Sequence, residues 1–351
     1  MNNSIQEEYC LPCNPNESNS IKEEDNRKYR ISGCSINNID LGLCCLNTTL
    51  RSQKPSIFAS RTCRLSTAEK KGKPYLKELV IKNLQDVLTI LDNCFKNGIK
   101  AYRLSSQMFP HASNIKYGRY RKHGPRYGLK FAWPLLTKIG KKAQTYGIRL
   151  SFHPGQWNQI GAQSDSVFEK TIVDLKYHCR ILDLIEKNTN PGKNKGIICI
   201  HGGGVYKNKE KTIQRWKTNF MKLPKRLRKR LALENCERNY SSIDCLELAE
   251  ELNIPHIFDI HHYNCYSLIN PDYEQNIKSL LPRIIKTWTK RGLKPYFHIS
   301  EQGNGRIGHH SDYIENIPEY MFNLKIPITL DVEAKKKELA IYQLIQIYKN
   351  K

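Results

Sequence analysis

The feature that most constrains the fold of this chain is an alternation of short apolar runs with longer helical stretches. From Ile36 onward, each run is rich in β-branched or aliphatic residues, and each intervening stretch has helical periodicity. Such alternation is typical of βα units built around a parallel sheet. The strand candidates are Leu41–Leu46, Ala101–Leu104, Ile148–Phe152, Gly196–Ile200, Leu231–Glu234, Pro255–Asp259, Pro295–Ser300 and Pro327–Asp331.

The helical stretches complete the pattern. Strands and helices alternating over about 310 residues predict an α/β fold of the (β/α)8 TIM-barrel type. A doubly wound open sheet is the competing fold, but it gathers functional residues at one switch point rather than at nearly every strand end. The predicted helices include Tyr75–Phe95, Phe131–Tyr146, Val167–Glu186, Ile243–Glu251, Glu274–Lys290 and Lys335–Tyr348.

The start of the chain has a different texture. Residues 1–35 are rich in Asn, Ser and Glu and poor in aromatics, which predicts a flexible or disordered extension. We expect residues 36–351 to form the barrel domain.

Cysteine usage and hydropathy indicate the compartment. Of 12 cysteines, only Cys10 and Cys13 form a C-x-x-C pair, and no second pair completes a zinc site. The first residues lack the basic start and apolar run of a signal peptide, and no apolar stretch reaches the length of about 18 residues that a membrane span needs. We therefore expect a soluble intracellular monomer in a reducing compartment, without a membrane partner.

Ionisable residues lie at the ends of the last six strand candidates. In a barrel these ends meet at one mouth, where active sites lie. A single His after an apolar run is more often structural, but six successive ends need a partner that offsets their charge, and metal cations are suited to imidazoles mixed with carboxylates. The residues are His153, His201, Glu234, Asp259, His262, His298 and Glu333.

Together with His310, these residues form a candidate set of metal ligands. One divalent ion takes about three or four protein ligands, so the set predicts about two or three ions. Nitrogen and oxygen ligands without cysteine favour Mn2+, with Zn2+ as an alternative and Mg2+ less suited because it binds imidazole poorly. The expected catalytic residues are Glu234, His153, His201, Asp259 and Glu333.

The charge predicts a polyanionic partner. The formal net charge of +24 attracts phosphates, although a lysine-rich genome would produce a similar surplus. The loop after the second strand interleaves basic and aromatic residues, which suits phosphates and exposed bases. Its expected DNA contacts are Arg119, Tyr120, Arg121 and Lys122. A second basic run, Lys222–Arg230, precedes a strand and is better interpreted as a solvated face.

The segment after the third strand candidate predicts a pair of side chains that can insert into nucleic acid. Gly155 permits a sharp turn, which places Gln156 and Trp157 on a loop above the metals. An amide beside an aromatic ring can wedge into a base stack. The alternative is a Trp packed on the barrel rim.

At this point the motifs resemble those of the UV damage endonuclease family. The resemblance covers roughly residues 38–345, in order. The motifs are Leu41–Asn47, Tyr102–Ser106, Phe152–Gln156, Leu233–Asn235, Phe258–His262, His298–Glu301, His310–Tyr313 and Glu333–Lys335.

The resemblance implies a TIM-barrel enzyme of DNA excision repair. Members of the family nick duplex DNA immediately 5′ to cyclobutane pyrimidine dimers, 6-4 photoproducts and abasic sites. By resemblance, the candidate ligands above match the metal ligands of the family, and Gln156 and Trp157 match its lesion-probing pair, in which the second residue is often Tyr. Asn47 matches a polar residue near the damage.

Two positions depart from the pattern of the family. The family typically has a Lys that can carry a carboxyl group near the metals, and here that position is Tyr296. Lys294 lies on the same strand face but deeper. We count Lys294, Tyr296 and Lys335 as candidate accessory residues. Leu43 stands where an aromatic that senses damage is expected.

Three alternatives remain open. An abasic-site enzyme of the endonuclease IV type shares the barrel and a His/Glu/Asp cluster. A sugar isomerase on the same barrel also uses metals, but it does not need a charge of +24. A non-catalytic protein that binds damaged DNA would retain the basic surface with a decayed metal site.

Overall fold

Eight parallel strands close into a barrel in chain order in the computed structural model, which describes residues 36–114, 125–273 and 276–349. The first and last strands pair with each other in parallel and complete the ring. This confirms the predicted (β/α)8 architecture. The strands are β1 (Ile39–Cys44), β2 (Ala101–Leu104), β3 (Arg149–Phe152), β4 (Ile197–His201), β5 (Leu231–Glu234), β6 (His256–Asp259), β7 (Tyr296–Ile299) and β8 (Ile328–Val332).

The predicted strand limits are close to the observed ones. β2 and β5 have the predicted limits, and the other strands shift by one or two residues at their ends. The predicted first residues Pro255, Pro295 and Pro327 each precede the observed strand, because proline has no N–H to give to the ladder. β1 ends at Cys44 because Cys45 adopts a positive φ of 63°, which turns the chain out of the sheet.

Helices surround the barrel. They are α1 (Thr48–Ser52), α2 (Leu65–Lys96), α3 (Trp133–Tyr146), α4 (Asp165–Ile185), α5 (Lys209–Lys222), α6 (Lys225–Arg228), α7 (Ser242–Leu252), α8 (Ile260–Ile269), α9 (Ile277–Thr289), α10 (Glu319–Phe322) and α11 (Glu338–Lys349). Short 3-10 turns lie at Lys130–Ala132 and Gly192–Asn194. The α2 helix is interrupted at Gly72, whose φ is 70°.

Some helices were absent from the sequence prediction. The α8 helix begins directly after β6, where the Asp259 carboxylate accepts the backbone N–H of His262 at 2.7 Å. Its buried residues Ile260, His261, His262 and Cys265 do not form the apolar stripe by which a helix is recognised.

The first and the last of the described helices meet in space. The Glu338 carboxylate at the start of α11 accepts the backbone N–H groups of Thr48 and Thr49, at 2.6 and 2.7 Å, and so caps α1. Together with the pairing of β1 and β8, this contact fastens the closing seam of the barrel.

Strand register positions the site. His201 pairs with Glu234 across β4 and β5, and His298 lies between Asp259 and Asp331 across β6, β7 and β8. Since side chains alternate along a strand, residues two positions apart face the same side. The upper part of the barrel interior, at the carboxyl ends of the strands, is therefore filled with ionisable groups.

Apolar residues fill the space around and below these groups. A large core lies between the strands and the helices, and a smaller cluster packs within the barrel. The smaller cluster consists of Ala101, Ile197, Cys199, Ala232, Ile257 and Tyr296, with Trp288 and Leu293 from the segment that leads into β7. No helix among the described residues has the length and apolar character needed to cross a membrane.

Candidate metal centre

The Glu234 carboxylate lies at the middle of the centre and is fully buried at the end of β5. Its Oε2 atom is 2.8 Å from His153 Nε2 and 3.7 Å from His201 Nε2. Its Oε1 atom is 2.8 Å from His298 Nδ1 and 3.6 Å from His262 Nδ1. One carboxylate thus faces imidazoles from four different βα units, which suits a carboxylate that bridges ions.

Two further carboxylates face the same centre. His298 Nδ1 lies 3.3 Å from Glu333 Oε1 and 3.7 Å from Asp259 Oδ2. The Asp259 side chain is fully buried, and its Oδ2 atom has no hydrogen-bond partner among the described residues. An ionised oxygen in that position is costly unless a cation approaches it, so this donor set fits a metal ion.

The ligand atoms converge in three groups. Within each group they lie no more than 4.8 Å from one another, as the ligands of one ion do. The groups are His201, Glu234 and His262; then Glu234, Asp259, His298 and Glu333; and finally His153, Cys199, Glu234 and His298.

Backbone carbonyls orient three of the imidazoles. The Nδ1 atoms of His153, His262 and His310 lie 3.2, 3.0 and 2.6 Å from the carbonyl oxygens of Pro154, Asn235 and Glu333. A ring that donates from Nδ1 keeps the lone pair on Nε2, and metal-binding histidines are typically held in this way.

The Asn235 side chain braces this arrangement. Its amide donates to the Asp259 carbonyl at 3.0 Å and its oxygen accepts the Asp259 N–H at 2.9 Å, which ties the end of β5 to the end of β6.

His310 lies at the edge of the centre. Its Nδ1 atom is 3.8 Å from Glu333 Oε2, and its ring packs edge-on against that of His261, with centroids 5.5 Å apart. It is not a member of the three convergent groups, so its predicted role as a ligand stays a prediction.

The buried charges of the centre shift the pKa values of the candidate ligands in different directions. Burial, together with the neighbouring His153 and His262, lowers the pKa of His201 to about 4, so that this imidazole is neutral. Burial alone would raise the pKa of Glu234, but His298, His201 and His153 hold it well below the usual range. Burial alone would lower the pKa of His262, but the carboxylates of Asp259 and Glu234 raise it to about 9. A bound cation would have to displace that proton.

Two charged residues of the centre, Arg103 and Asp331, were not among the site residues predicted from the sequence. Arg103 Nε and Nη2 lie 3.1 and 3.0 Å from Asp331 Oδ2, and Nη2 is also 3.0 Å from His298 Nε2. Arg103 also forms an ion pair with Glu333 Oε1. The signal was present, because Arg103 occupies the same face of β2 as Ala101 in the barrel interior.

A cysteine belongs to the centre as well. The buried Cys199 thiol donates to Glu234 Oε2 at 2.8 Å. Burial, and then the charge of Glu234, raise the pKa of this thiol well above its ordinary value. Cys199 was not among the ligands predicted from the sequence, which contained no cysteine. Cys199 lies two residues before His201, so strand alternation was sufficient to place both on one face.

Of the accessory candidates, Lys294 and Lys335 lie away from the centre, whereas the Tyr296 ring packs edge-on against that of His298, with centroids 5.9 Å apart. The Lys294 ammonium pairs with Asp40 at the lower end of the barrel. Tyr296 Oη lies 2.9 Å from Ser151 Oγ inside the barrel, below His298 on the same face of β7. Lys335 is exposed, and its backbone N–H donates to the Ser311 carbonyl at 3.0 Å.

The predicted lesion probe lies on the loop between β3 and α4. Gln156 is exposed, and Trp157 has 64% of its surface exposed. A Cβ on Gly155 would lie 2.3 Å from the Trp157 ring, so glycine is what lets this ring fold back over the turn. The Asn158 amide donates to the Gly155 carbonyl at 3.1 Å and to Asp174 at 2.8 Å, which anchors the loop.

Asn47 lies elsewhere than expected for a DNA contact. It is 1% exposed, its oxygen accepts the Leu50 N–H at 2.8 Å as the N-cap of α1, and its amide donates to Asn93 at 2.9 Å. These contacts explain why an asparagine occupies this position. The predicted contacts Arg119, Tyr120, Arg121 and Lys122 lie outside the described residues.

The chain is similar in sequence and in fold to known UV-damage endonucleases. The family described as UV-endonuclease UvdE matches residues 39–350. A putative UV-damage endonuclease of Acanthamoeba polyphaga mimivirus is 37% identical over 310 residues, which is 86% of this chain and 90% of that protein. The UV-damage endonuclease of Schizosaccharomyces pombe is 35% identical over 314 residues, 88% of this chain, which spans about half of that longer protein. The crystal structure of SacUVDE superposes with a TM-score of 0.75 at 26% identity, covering 89% of this chain and 98% of that chain.

Proposed function

This chain belongs to the UV-endonuclease family, and from that membership we propose that it is a metal-dependent endonuclease that nicks duplex DNA immediately 5′ to UV photoproducts. Cyclobutane pyrimidine dimers and 6-4 photoproducts are the proposed lesions, with abasic sites as a further substrate. The observation that carries the proposal is the group of carboxylates and imidazoles around Glu234, at the mouth of the barrel.

We propose two or three divalent ions in this centre, with Mn2+ favoured over Zn2+ and Mg2+. When bound, such ions activate water and offset the charge that develops on a phosphate during its displacement. The residues that would hold them are His153, His201, Glu234, Asp259, His262, His298, Glu333 and, at the edge, His310.

The chain itself contributes binding and orientation. Its positive charge attracts the DNA phosphates, and Arg119, Tyr120, Arg121 and Lys122 are proposed contacts. Lesions weaken base stacking, which lowers the cost of extruding the damaged nucleotides. Gln156 and Trp157 are proposed to fill the resulting gap. The Asn158 anchor limits the motion of their loop.

Trp157 provides a direct test of the probe. Trp157→Ala removes an exposed ring, and base stacking on an aromatic side chain contributes about 1–3 kcal/mol. We expect the preference for damaged over undamaged duplex to fall about tenfold. Competition binding with the two duplexes measures this preference, and Trp133→Ala, an exposed Trp on α3, is the matched control. Equal losses in both variants would contradict the assignment.

The experiment that tests the function is a nicking assay on end-labelled duplexes. One duplex carries a single cyclobutane dimer, one an abasic site and one no damage, each with Mn2+ or with EDTA. Metal-dependent cutting just 5′ to the dimer is the expected result. Cutting of the abasic duplex alone would identify an abasic-site enzyme, and binding without cutting would identify a non-catalytic damage-binding protein. Neither binding nor cutting would leave the sugar isomerase as the alternative to pursue.

A further inference from the structure

The two oxygens of Glu234 face chemically different partners. Oε1 faces His298 and the part of the centre that contains Asp259 and Glu333, where oxygen donors predominate. Oε2 faces His153 and the Cys199 thiol, each at 2.8 Å. Hard cations such as Mn2+ prefer the first environment, whereas thiolate and imidazole together select softer ions.

Cys199 belongs to a converging set of ligand atoms. The potential ligand atoms of His153, Cys199, Glu234 and His298 lie within 4.8 Å of one another. His153 keeps its Nε2 directed at the set because its Nδ1 lies at the Pro154 carbonyl. Four donors of nitrogen, oxygen and sulfur type correspond in number and kind to a tetrahedral zinc site.

The surroundings are consistent with a cation in this place. The Asp259 Oδ2 atom, fully buried and without a hydrogen-bond partner in the described part of the chain, belongs to the neighbouring group, which shares Glu234 and His298 with this set. Below Cys199 the barrel is lined by Ala101, Ile197 and Ala232, which exclude water and competing ligands.

We propose that Cys199 is a metal ligand, and that with His153, Glu234 and His298 it forms an inner site selective for a thiophilic divalent ion such as Zn2+ or Cd2+. On binding, the ion displaces the thiol proton to solvent, and a metal–sulfur bond replaces the S–H bond. The neighbouring carboxylates of Asp259 and Glu333, with the other oxygen of Glu234, retain their preference for a harder ion. The inference rests on the proposed metal centre, but its test does not depend on DNA cutting.

Cadmium is the probe, because a cadmium–thiolate bond has a charge-transfer absorption in the ultraviolet that the free thiol lacks. The full chain is freed of metal by chelation and titrated with Cd2+. Cys199→Ser should remove the part of this absorption that arises at the lowest Cd2+ concentrations. Other cysteines, including the Cys10 and Cys13 pair, contribute equally to the wild type and the variants.

The matched control is Cys245→Ser. Cys245 is equally buried and its thiol donates to the backbone carbonyl of the same Glu234 at 3.4 Å, but it lies on α7, outside the three convergent groups. This variant should keep the wild-type titration. Cys199→Ala is a second variant, and circular dichroism verifies that each variant is folded.

Competition between metals gives the second readout. The preference of the tightest site for Zn2+ over Mn2+ should fall about tenfold or more in Cys199→Ser, since loss of one ligand or its support typically weakens binding by about 10–100-fold. Unchanged cadmium absorption and unchanged preference in folded Cys199 variants would overturn the proposal, and Cys199 would then be a packing residue. If the protein nicks dimer-containing DNA but shows no cadmium absorption that depends on Cys199, the proposed function stands and the inner site does not. If the absorption is present but the protein does not nick DNA, the inner site stands and the proposed function does not.

Discussion

The upper and lower parts of the barrel interior have opposite electrical character. The upper part contains the carboxylates of Glu234, Asp259, Asp331 and Glu333, and Arg103 is the cation that pairs with the last two. The lower part contains Arg149 and Lys294, of which Lys294 is paired with Asp40.

This difference in charge shows which part of the barrel interior needs cations that the chain itself does not supply. In the lower part, Arg149 Nη1 donates to the Lys294 carbonyl at 2.7 Å, and its guanidinium stacks over the Tyr296 ring at 4.9 Å. Burial lowers the pKa of Arg149 to about 10, and its Nε and Nη2 atoms have no hydrogen-bond partner among the described residues. The upper part has more acidic groups than internal cations. Bound metal ions would make up this deficit, and the positive charge below would confine them to the mouth.

The largest expected effect follows from neutralising the middle of the upper part. Glu234→Gln keeps the shape of the side chain but removes the charge that both halves of the centre share, so we expect the nicking rate to fall on the order of 1000-fold. The matched control is Asp40→Asn, which removes a carboxylate from the lower part and should change the rate less than about threefold. Single-turnover nicking under Mn2+ measures both. Equal nicking rates in the two variants would contradict the proposed difference between the upper and the lower part of the barrel.

Arginine substitutions compare the two parts by stability. In metal-free protein, Arg103→Met leaves the buried Asp331 carboxylate without its ion-pair partner, and we expect the free energy of unfolding to fall by about 3 kcal/mol. Arg149→Met removes a buried cation whose Nη1 donates to a backbone carbonyl and whose other nitrogens are unsatisfied among the described residues, so it should cost about 1 kcal/mol or less. Urea unfolding measures both, and similar losses would contradict the comparison.

Metal binding should stabilise the upper part selectively. At about 100 times its Kd, Mn2+ should raise the free energy of unfolding by about 2.7 kcal/mol, because it binds only the folded chain. Glu234→Gln should lose most of this gain and Asp40→Asn should keep it. Thermal unfolding with Mn2+ and with EDTA measures the gain, and an unchanged gain in Glu234→Gln would show that Mn2+ binds elsewhere.

The smallest expected effect concerns Tyr296, where the family typically has a lysine. Tyr296→Phe removes the hydrogen bond with Ser151 in the lower part and should cost about 1 kcal/mol of stability without changing nicking. Ser151→Ala is the partner for a double-mutant cycle. A loss of nicking in Tyr296→Phe would assign the phenol to the metal centre instead.

The sequence was sufficient for the features that depend on periodicity. Strand alternation placed His153, His201 and Glu234 at one mouth, because the ends of parallel strands in a closed barrel must meet there. It was not sufficient for features that depend on distance across the barrel. Cys199 looks like an ordinary buried cysteine until Glu234 is found 2.8 Å away on the next strand.

Asn47 shows another limit of the sequence. Its motif suggested contact with DNA, but an Asn before a helix is also a strong N-cap, and the structure uses it in that way. Similarly, α8 could not be recognised because two of its buried residues are histidines, so that no apolar stripe marks the helix in the sequence.

The seam at which the barrel closes has a consequence for how the protein is made. β1 pairs with β8, and Glu338 holds the N–H groups of Thr48 and Thr49 across 290 and 289 residues of chain. Contacts between segments so distant in sequence form late, because a long loop must be ordered before they stabilise anything. A growing chain on the ribosome that has released β5 exposes Glu234 well before His298 and Glu333 have been synthesised. The centre therefore assembles only as the barrel closes, and a chain that is interrupted before β8 has carboxylates without the partners that hold them.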